Sequence, residues 1–357
     1  MLKTCTTPKK ASLSHDIRTL DDIRGLIETL PMANEGPVIE ARQRDIGLTK
    51  PRGSLGRLEE IVFWLCRWQQ SSSPSMENPQ TCVFAGNHGI VQHDVSAFPA
   101  SVTALMVENF ARGGAAINQL STELGAEVTV RALDLDRPTR DFTVEAAMSE
   151  DECVDAFRIG MEAVNPEASL LCPGEMGIGN TTSAAAICHV LWGSTPTDWV
   201  GSGTGINKAQ YDRKIDVVKR TKACHGTSVK DGLDVLRCVG GREIVAMAGA
   251  IIAARLLHIP VMLDGFICGA AAAALHETSS KSLLHCMVGH GSVEPGHRLL
   301  LDRIGKRPLL DLDLRLGEGT GAVIAGLIVR AAVTCHNNMA SFGDIGISAD
   351  AISGNQN

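Results

Sequence analysis

The chain has 357 residues, and its 33 Lys and Arg against 40 Asp and Glu leave a formal net charge of −7. This length suggests about two domains, and a hydrophobic share of 44% supplies a sizeable core and excludes global disorder. The acidic balance argues against a nucleic-acid binder, because phosphate backbones recruit basic surfaces; an anionic ligand must be held by local groups.

Residues 1–80 read as helices with polar connections, and Ile61 to Leu65 with Trp68 form an apolar stripe suited to a core. The serine-rich stretch Ser71 to Ser75 breaks that pattern and marks a boundary. Beyond it, strands are predicted at Thr81–Ala85, Val128–Leu133, Ser169–Cys172, Ile259–Leu263 and Leu283–Val288, with another ending over Asp198–Val200. Helices are predicted from a Ser101 cap through Phe110, and over Ser183–Leu191, Lys208–Ala223, Arg242–Leu257 and Phe266–His276. Two more start at Pro295, in a first helical turn, and at Gly321, the latter running to about Asn337. Leu310 to Leu316 alternates with period two, as an extended segment with one buried face does. The tail after Phe342 is rich in Gly, Ser and Asp and reads as loose. Strands alternating with helices make this an α/β chain of βαβ units with a parallel sheet.

Gly-rich turns carry the functional signal. Gly174-Glu175-Met176-Gly177-Ile178-Gly179-Asn180-Thr181-Thr182 falls between a predicted strand and a helix. Glycines expose backbone N–H groups and a helix N-terminus adds partial positive charge, so the turn suits an anion; a tight turn with a Thr cap is the plainer reading. Gly201-Ser202-Gly203-Thr204-Gly205 and Gly317-Glu318-Gly319-Thr320-Gly321 repeat one G-x-G-T-G pattern. Ser in the first copy suits a phosphate, whereas Glu in the second repels one. Flanking glycines leave the Glu318 carboxylate accessible, as a general base needs, or as a solvated glutamate at a helix end is. Ala85 to Ile90 and Val95 to Pro99 could line one side of a pocket at the carboxyl edge of the sheet, or form a loop with a satisfied His88.

Other chemistries lack support. There is no G-x-x-x-x-G-K-[ST], no complete dinucleotide fingerprint, no HExxH and no G-x-S-x-G. His285, His290 and His297 lack the Cys or carboxylate spacing of a metal site, so neither a metal nor a cofactor is expected. The 11 cysteines are odd in number and include no C-x-x-C, which fits reduced thiols in a cytoplasm. No membrane segment is expected: the apolar run Gly265 to Leu275 has 11 residues, against the roughly 20 a spanning helix needs. MLKTCTTPKK has positive charge without a following apolar region, unlike a secretory signal.

Together these turns resemble the nicotinate-nucleotide–dimethylbenzimidazole phosphoribosyltransferases, which make α-ribazole phosphate for the lower ligand of cobalamin. The resemblance covers roughly residues 40–342, in order, through GNHGIVQHDVSAFPASVTALMVENFARGGAAIN, GEMGIGNTTSAAA, GSGTGI, GREIVAMAGA, PVMLDGF, GHGSVEPGHR, LDLRLGEGTGA and CHNNMASF. It implies a Rossmann-like parallel sheet with flanking helices over 81–330, and a small helical domain from both chain ends, 1–80 with 331–357. It implies a homodimer, no cofactor, and as substrates nicotinate mononucleotide and a benzimidazole-type base. Glu318 falls on the family's catalytic base, and Glu175 and Lys214 fall on its substrate site. The nucleotide phosphate is then expected against Gly177, Gly179, Asn180, Thr181, Gly203 and Gly205, helped by Lys214. Ser96, Phe98 and Leu316 are expected to border the acceptor base. Family members often carry Asp, Tyr and a longer polar residue where this chain has Asn87, Phe98 and Ala100. Those departures spare the transfer chemistry and bear on which base is accepted. A non-catalytic nicotinate-nucleotide sensor is the alternative on the same fold. A kinase would need a metal-binding carboxylate pair that no motif supplies.

Overall fold

A computed structural model describes residues 17–203 and 205–347. Three helices come first: α1 (Leu20–Glu28), α2 (Gly36–Gly47) and α3 (Arg57–Gln69). Then follow β1 (Pro79–Ala85), α4 (Val102–Ala111), α5 (Ala116–Leu124), β2 (Glu127–Ala132), α6 (Glu150–Glu162) and β3 (Leu170–Met176). The long return to the sheet contains α7 (Asn180–Trp192), α8 (Pro196–Trp199), α9 (Lys208–His225), α10 (Gly232–Val239) and α11 (Arg242–Leu256). The chain closes with β4 (Val261–Leu263), α12 (Phe266–Thr278), β5 (Cys286–Gly291), α13 (Pro295–Arg303), β6 (Pro308–Asp311) and α14 (Thr320–Asn338).

The six strands form one parallel sheet in the order β2-β1-β3-β4-β5-β6. All seven residues of β1 are buried, as a strand covered on both faces requires. Side chains alternate across the sheet: Cys82 and Phe84 enter the core shared with α6, α7, α11 and α12, whereas Val83 enters the core shared with α3, α5 and α14. The order reverses between β1 and β3, which opens a crevice at the carboxyl ends of the strands.

Several local expectations change. Asp198–Val200 ends no strand; Pro196 at the first helical position and Asp198 accepting from the Thr195 N–H at 2.8 Å start the short helix α8. The second Gly-rich turn therefore follows a helix. β3 runs past Cys172 to Met176, because Val83 to Ala85 pair with Gly174 to Met176. Ser101 has helical dihedrals and makes no side-chain cap bond. The alternation of 310–316 does not continue as a strand: β6 ends at Asp311, Asp313 turns into the left-handed region at φ 53, and Leu312 and Leu316 are 51% and 56% exposed. The β5 strand lies three residues later than expected, at Cys286 to Gly291.

Helix α14 runs unbroken through residue 330. Against the expectation that no segment could cross a membrane, this helix could do so by length and composition alone, but 56% of its apolar window is buried in the fold. It packs on α3, α5 and the central strands as a core helix does. Of the described cysteines only Cys224 is exposed. The segments MLKTCTTPKK and 348–357, and Thr204 within the second Gly-rich turn, lie outside the described residues.

Candidate active site

The crevice opens where β3, β4, β5 and the segment after β6 end. A narrow cleft, open to solvent at its mouth, is walled there by Glu175, Asn180, Thr181, Gly203, Asp264, Glu294 and Arg315 among others. A larger depression adjoins it and shares Ser292 and Glu294, but it contains none of the three Gly-rich turns.

The turn before α14 is built for one carboxylate. Gly317, Glu318 and Gly319 have φ of 85, 64 and 87, three successive residues in the left-handed region. A residue with a Cβ pays strain there, and such strain collects at functional sites. The β3 backbone presses on this turn so closely that a Cβ on Gly174 would collide with the Glu318 carbonyl. Asp264, just past β4, holds the turn from below: its Oδ2 accepts the Gly319 N–H at 3.2 Å and its Oδ1 the Ala322 N–H at 3.0 Å. Glu318 is 5% exposed and its Oε2 has no hydrogen-bond partner among the described residues. Burial pushes its carboxyl up to about 7, the Ile117 N–H pulls it back, and Asp264 adds to the rise. That value lies near neutrality, where a general base works best. The side chain reaches toward Ile117 on α5, and Leu316 and Gly317 form the cleft wall beside it.

Glu175 stands on the other side of Gly317, whose added Cβ would strike its Oε1. Asn180 donates to Glu175 Oε2. Burial pushes Glu175 up to about 8, and Glu243, Asp264 and Glu318 add to the rise. Burial thus holds both carboxyl groups well above the ordinary carboxylate range.

The other two Gly-rich turns meet at Lys214. Its ammonium, 1% exposed, donates to Thr181 Oγ1 at 2.9 Å and to the Gly201 carbonyl at 3.1 Å. Burial lowers it to about 8, and Glu294 partly restores it. Gly179, at φ 95, precedes α7, and Gly203 and Gly205 turn at φ 54 and 107. Gly203 is also held from the far side: its N–H goes to Glu294 Oε1 at 2.8 Å, and its carbonyl accepts from Arg315 at 3.1 Å.

A family profile described as Phosphoribosyltransferase matches residues 30–347. The nicotinate-nucleotide–dimethylbenzimidazole phosphoribosyltransferase of Brucella abortus (strain S19) is 53% identical over 329 residues, 92% of this chain and 97% of its own. The protein of that name from Ruegeria sp. (strain TM1040) is 52% identical over 333 residues, 93% of this chain and 98% of its own. The chain belongs to this phosphoribosyltransferase family. The crystal structure of CobT from Thermus thermophilus superposes with a TM-score of 0.80 at 38% identity, over 88% of this chain and 99% of that one.

Within this phosphoribosyltransferase frame, the structure brings Glu175, Gly177, Asn180, Thr181, Gly203 and Leu316 into one cleft, with Lys214 directly behind Thr181. Ser96 and Phe98 are not in the cleft wall. The Ser96 carbonyl accepts from Gln210 at 2.9 Å, which ties that loop to α9, and Phe98 is 47% exposed. His88 Nε2 lies 2.5 Å from the buried Glu243 carboxylate, while its buried Nδ1 has no hydrogen-bond partner among the described residues. Among the described residues no group of three His, Cys, Asp or Glu is placed to hold a metal. His285 bonds the Ile251 carbonyl at 2.9 Å, and burial lowers it to about 3.

Four residues that the structure places in or beside the cleft were not singled out from sequence: Asp264, Glu294, Arg315 and Glu243. Asp264 had a signal, a carboxylate directly after a predicted strand end, where α/β folds place their sites. The others bond partners far along the chain.

The raised Glu175 carboxyl also predicts how stability follows pH. The native state holds a proton up to about pH 8 that the unfolded chain releases near the ordinary value of 4.5. Native protein then binds more protons across that window, so stability is lost as pH rises through it, by up to about 1.4 kcal/mol per unit. Glu175→Gln removes the share of this effect that belongs to Glu175 and leaves that of Glu318. Thermal melts should show the variant gaining on wild type from pH 5 to pH 8; a constant difference in Tm would refute the assignment.

Proposed function

We infer that this chain transfers the 5-phosphoribosyl group of nicotinate mononucleotide to 5,6-dimethylbenzimidazole or a related base. The products are nicotinate and α-ribazole 5′-phosphate, used to assemble the nucleotide loop of cobalamin. Nicotinate leaves C1′ of the ribose as a ring nitrogen of the base attacks from the opposite face, which inverts β to α. The base loses the proton of its other nitrogen, and Glu318 accepts it. The observation that carries this role is the buried Glu318 carboxyl, raised to about 7 in a left-handed turn at the carboxyl end of the sheet. It also stabilises positive charge that develops on base and ribose.

The 5′-phosphate lies against the turns 177–181 and 201–205, where backbone N–H groups and Lys214 supply what a chain of net charge −7 does not. Leu316 of the cleft wall borders the acceptor, and Ser96 and Phe98, on the loop outside that wall, are its proposed further partners. The same reading includes the small domain of residues 1–80 with 331–357, the large domain 81–330, a homodimer and a cytoplasmic setting. Release of free nicotinate from nicotinate mononucleotide, dependent on added base, tests the reaction; nucleotide binding without release would make the protein a sensor instead.

Acceptor choice should be broad. Phe98 offers a ring face but no hydroxyl, so recognition of the acceptor's edge is weaker than Tyr would give. A panel of benzimidazoles, purines and phenols assayed with the same nucleotide checks this. Close analogues about a hundredfold worse than one preferred base would contradict it.

A further inference from the structure

Three carboxylates line the cleft: Glu175, Asp264 and Glu294. Asp264 has both oxygens occupied by the N–H groups of Gly319 and Ala322. Glu175 Oε2 accepts from the Asn180 amide, and neither Glu175 oxygen is a buried orphan among the described residues. Glu294 differs from both. It is 7% exposed, and its Oε1 accepts the Gly203 N–H at 2.8 Å. Its Oε2 is buried and has no hydrogen-bond partner among the described residues. That oxygen packs against Gly201, where a Cβ would collide with it. Lys214 senses its charge but makes its bonds to Thr181 and Gly201.

A buried carboxylate oxygen without a donor has lost its hydration and gained nothing in return. A cleft wall that keeps such an oxygen suits a donor that arrives with the ligand. Nicotinate mononucleotide narrows the choice of donor. Its phosphate and its ring carboxylate are anions, which Glu294 repels. Its hydrogen-bond donors are the 2′- and 3′-hydroxyls of the ribose. We propose that Glu294 reads the ribose of the bound nucleotide, Oε2 accepting a hydrogen bond from one ribose hydroxyl while Oε1 keeps the Gly203 turn in place. The inference rests on the proposed function, since that reading supplies the nucleotide.

Equilibrium titration tests it in the absence of acceptor base, so that the N–H of the base plays no part. The ligands are nicotinate mononucleotide and its 2′-deoxy and 3′-deoxy analogues, and the proteins are the full wild-type chain and Glu294→Gln. A hydrogen bond to a charged group predicts that one deoxy analogue binds wild type about 10- to 100-fold more weakly than the parent. In Glu294→Gln the parent should fall toward the deoxy analogue, and the ratio should shrink severalfold. Equal affinity of wild type for all three ligands overturns the proposal. A ratio unchanged by the substitution overturns it as well, because another group then reads the hydroxyl. If the Gln variant does not fold, Glu294→Asp, which keeps the charge and draws it back, takes its place under the same criterion. Failure of wild type to bind the parent nucleotide would overturn the proposed function itself, whereas binding without discrimination defeats this inference alone.

Discussion

Glu318→Gln is expected to lower turnover by about 10²- to 10⁴-fold while nucleotide binding persists, a barrier increase of roughly 3–5 kcal/mol. The substitution keeps the shape of the side chain, and Gln can still accept the Ile117 N–H, so the left-handed turn at φ 64 is not asked to change. What is lost is the ability to take a proton. The base must shed its N–H proton as its other nitrogen becomes bonded and cationic, and without an acceptor that charge stays in the transition state. The carboxyl of Glu318 is held at about 7, so wild-type kcat/KM should rise with pH through that region as the group ionises. The variant should lack this limb. Steady-state transfer across pH, with nucleotide titration on the same preparation, measures both. Near wild-type turnover would move the base to Glu175, and loss of nucleotide affinity alone would make Glu318 a ribose-positioning group.

Lys214→Ala is expected to weaken nicotinate mononucleotide binding by about 10- to 100-fold, with turnover reduced alongside it. The ammonium bonds both Gly-rich turns, through Thr181 at 2.9 Å and the Gly201 carbonyl at 3.1 Å. Its removal takes away positive charge from a buried spot where screening is weak, so the effect should exceed that of a surface lysine. The Ala variant also leaves a cavity, and Lys214→Met, which restores the apolar stem, separates the two causes. Equal affinity losses in both variants assign the effect to the charge. Because burial lowers Lys214 to about 8, wild-type affinity should decline as pH rises past that value, and neither variant should show the decline. Unchanged affinity in Lys214→Met would place the phosphate away from these turns.

Much of the fold was legible because the signals are local. A strand buried on both faces is a continuous apolar run, and TCVFA in β1 shows it within its own residues. Helices α9, α11 and α14 run for 15 to 19 residues, well beyond the length of a strand. Short elements were not legible in this way. The four residues of α8 offer too few positions to separate a helix from a strand, and only the Pro196 start and the Asp198 bond decide it. The leucines of 310–316 alternate as a strand would, yet one left-handed residue, Asp313, turns Leu312 and Leu316 to solvent.

The sequence by itself determined the α/β class, the three Gly-rich turns, the charge that distinguishes Glu318 from its counterpart Ser202, and the family likeness those turns carry. Only the tertiary structure decided which carboxylates share the cleft and in what state. Gly319 reaches Asp264 across 55 positions, Gly203 reaches Glu294 across 91, Arg315 reaches Gly203 across 112, and His88 reaches Glu243 across 155. No periodicity or spacing rule encodes such pairs. Burial then sets the chemistry: free in water, Glu175 and Glu318 would be ordinary carboxylic acids, and desolvation beside neighbouring carboxylates raises both, to about 8 and about 7.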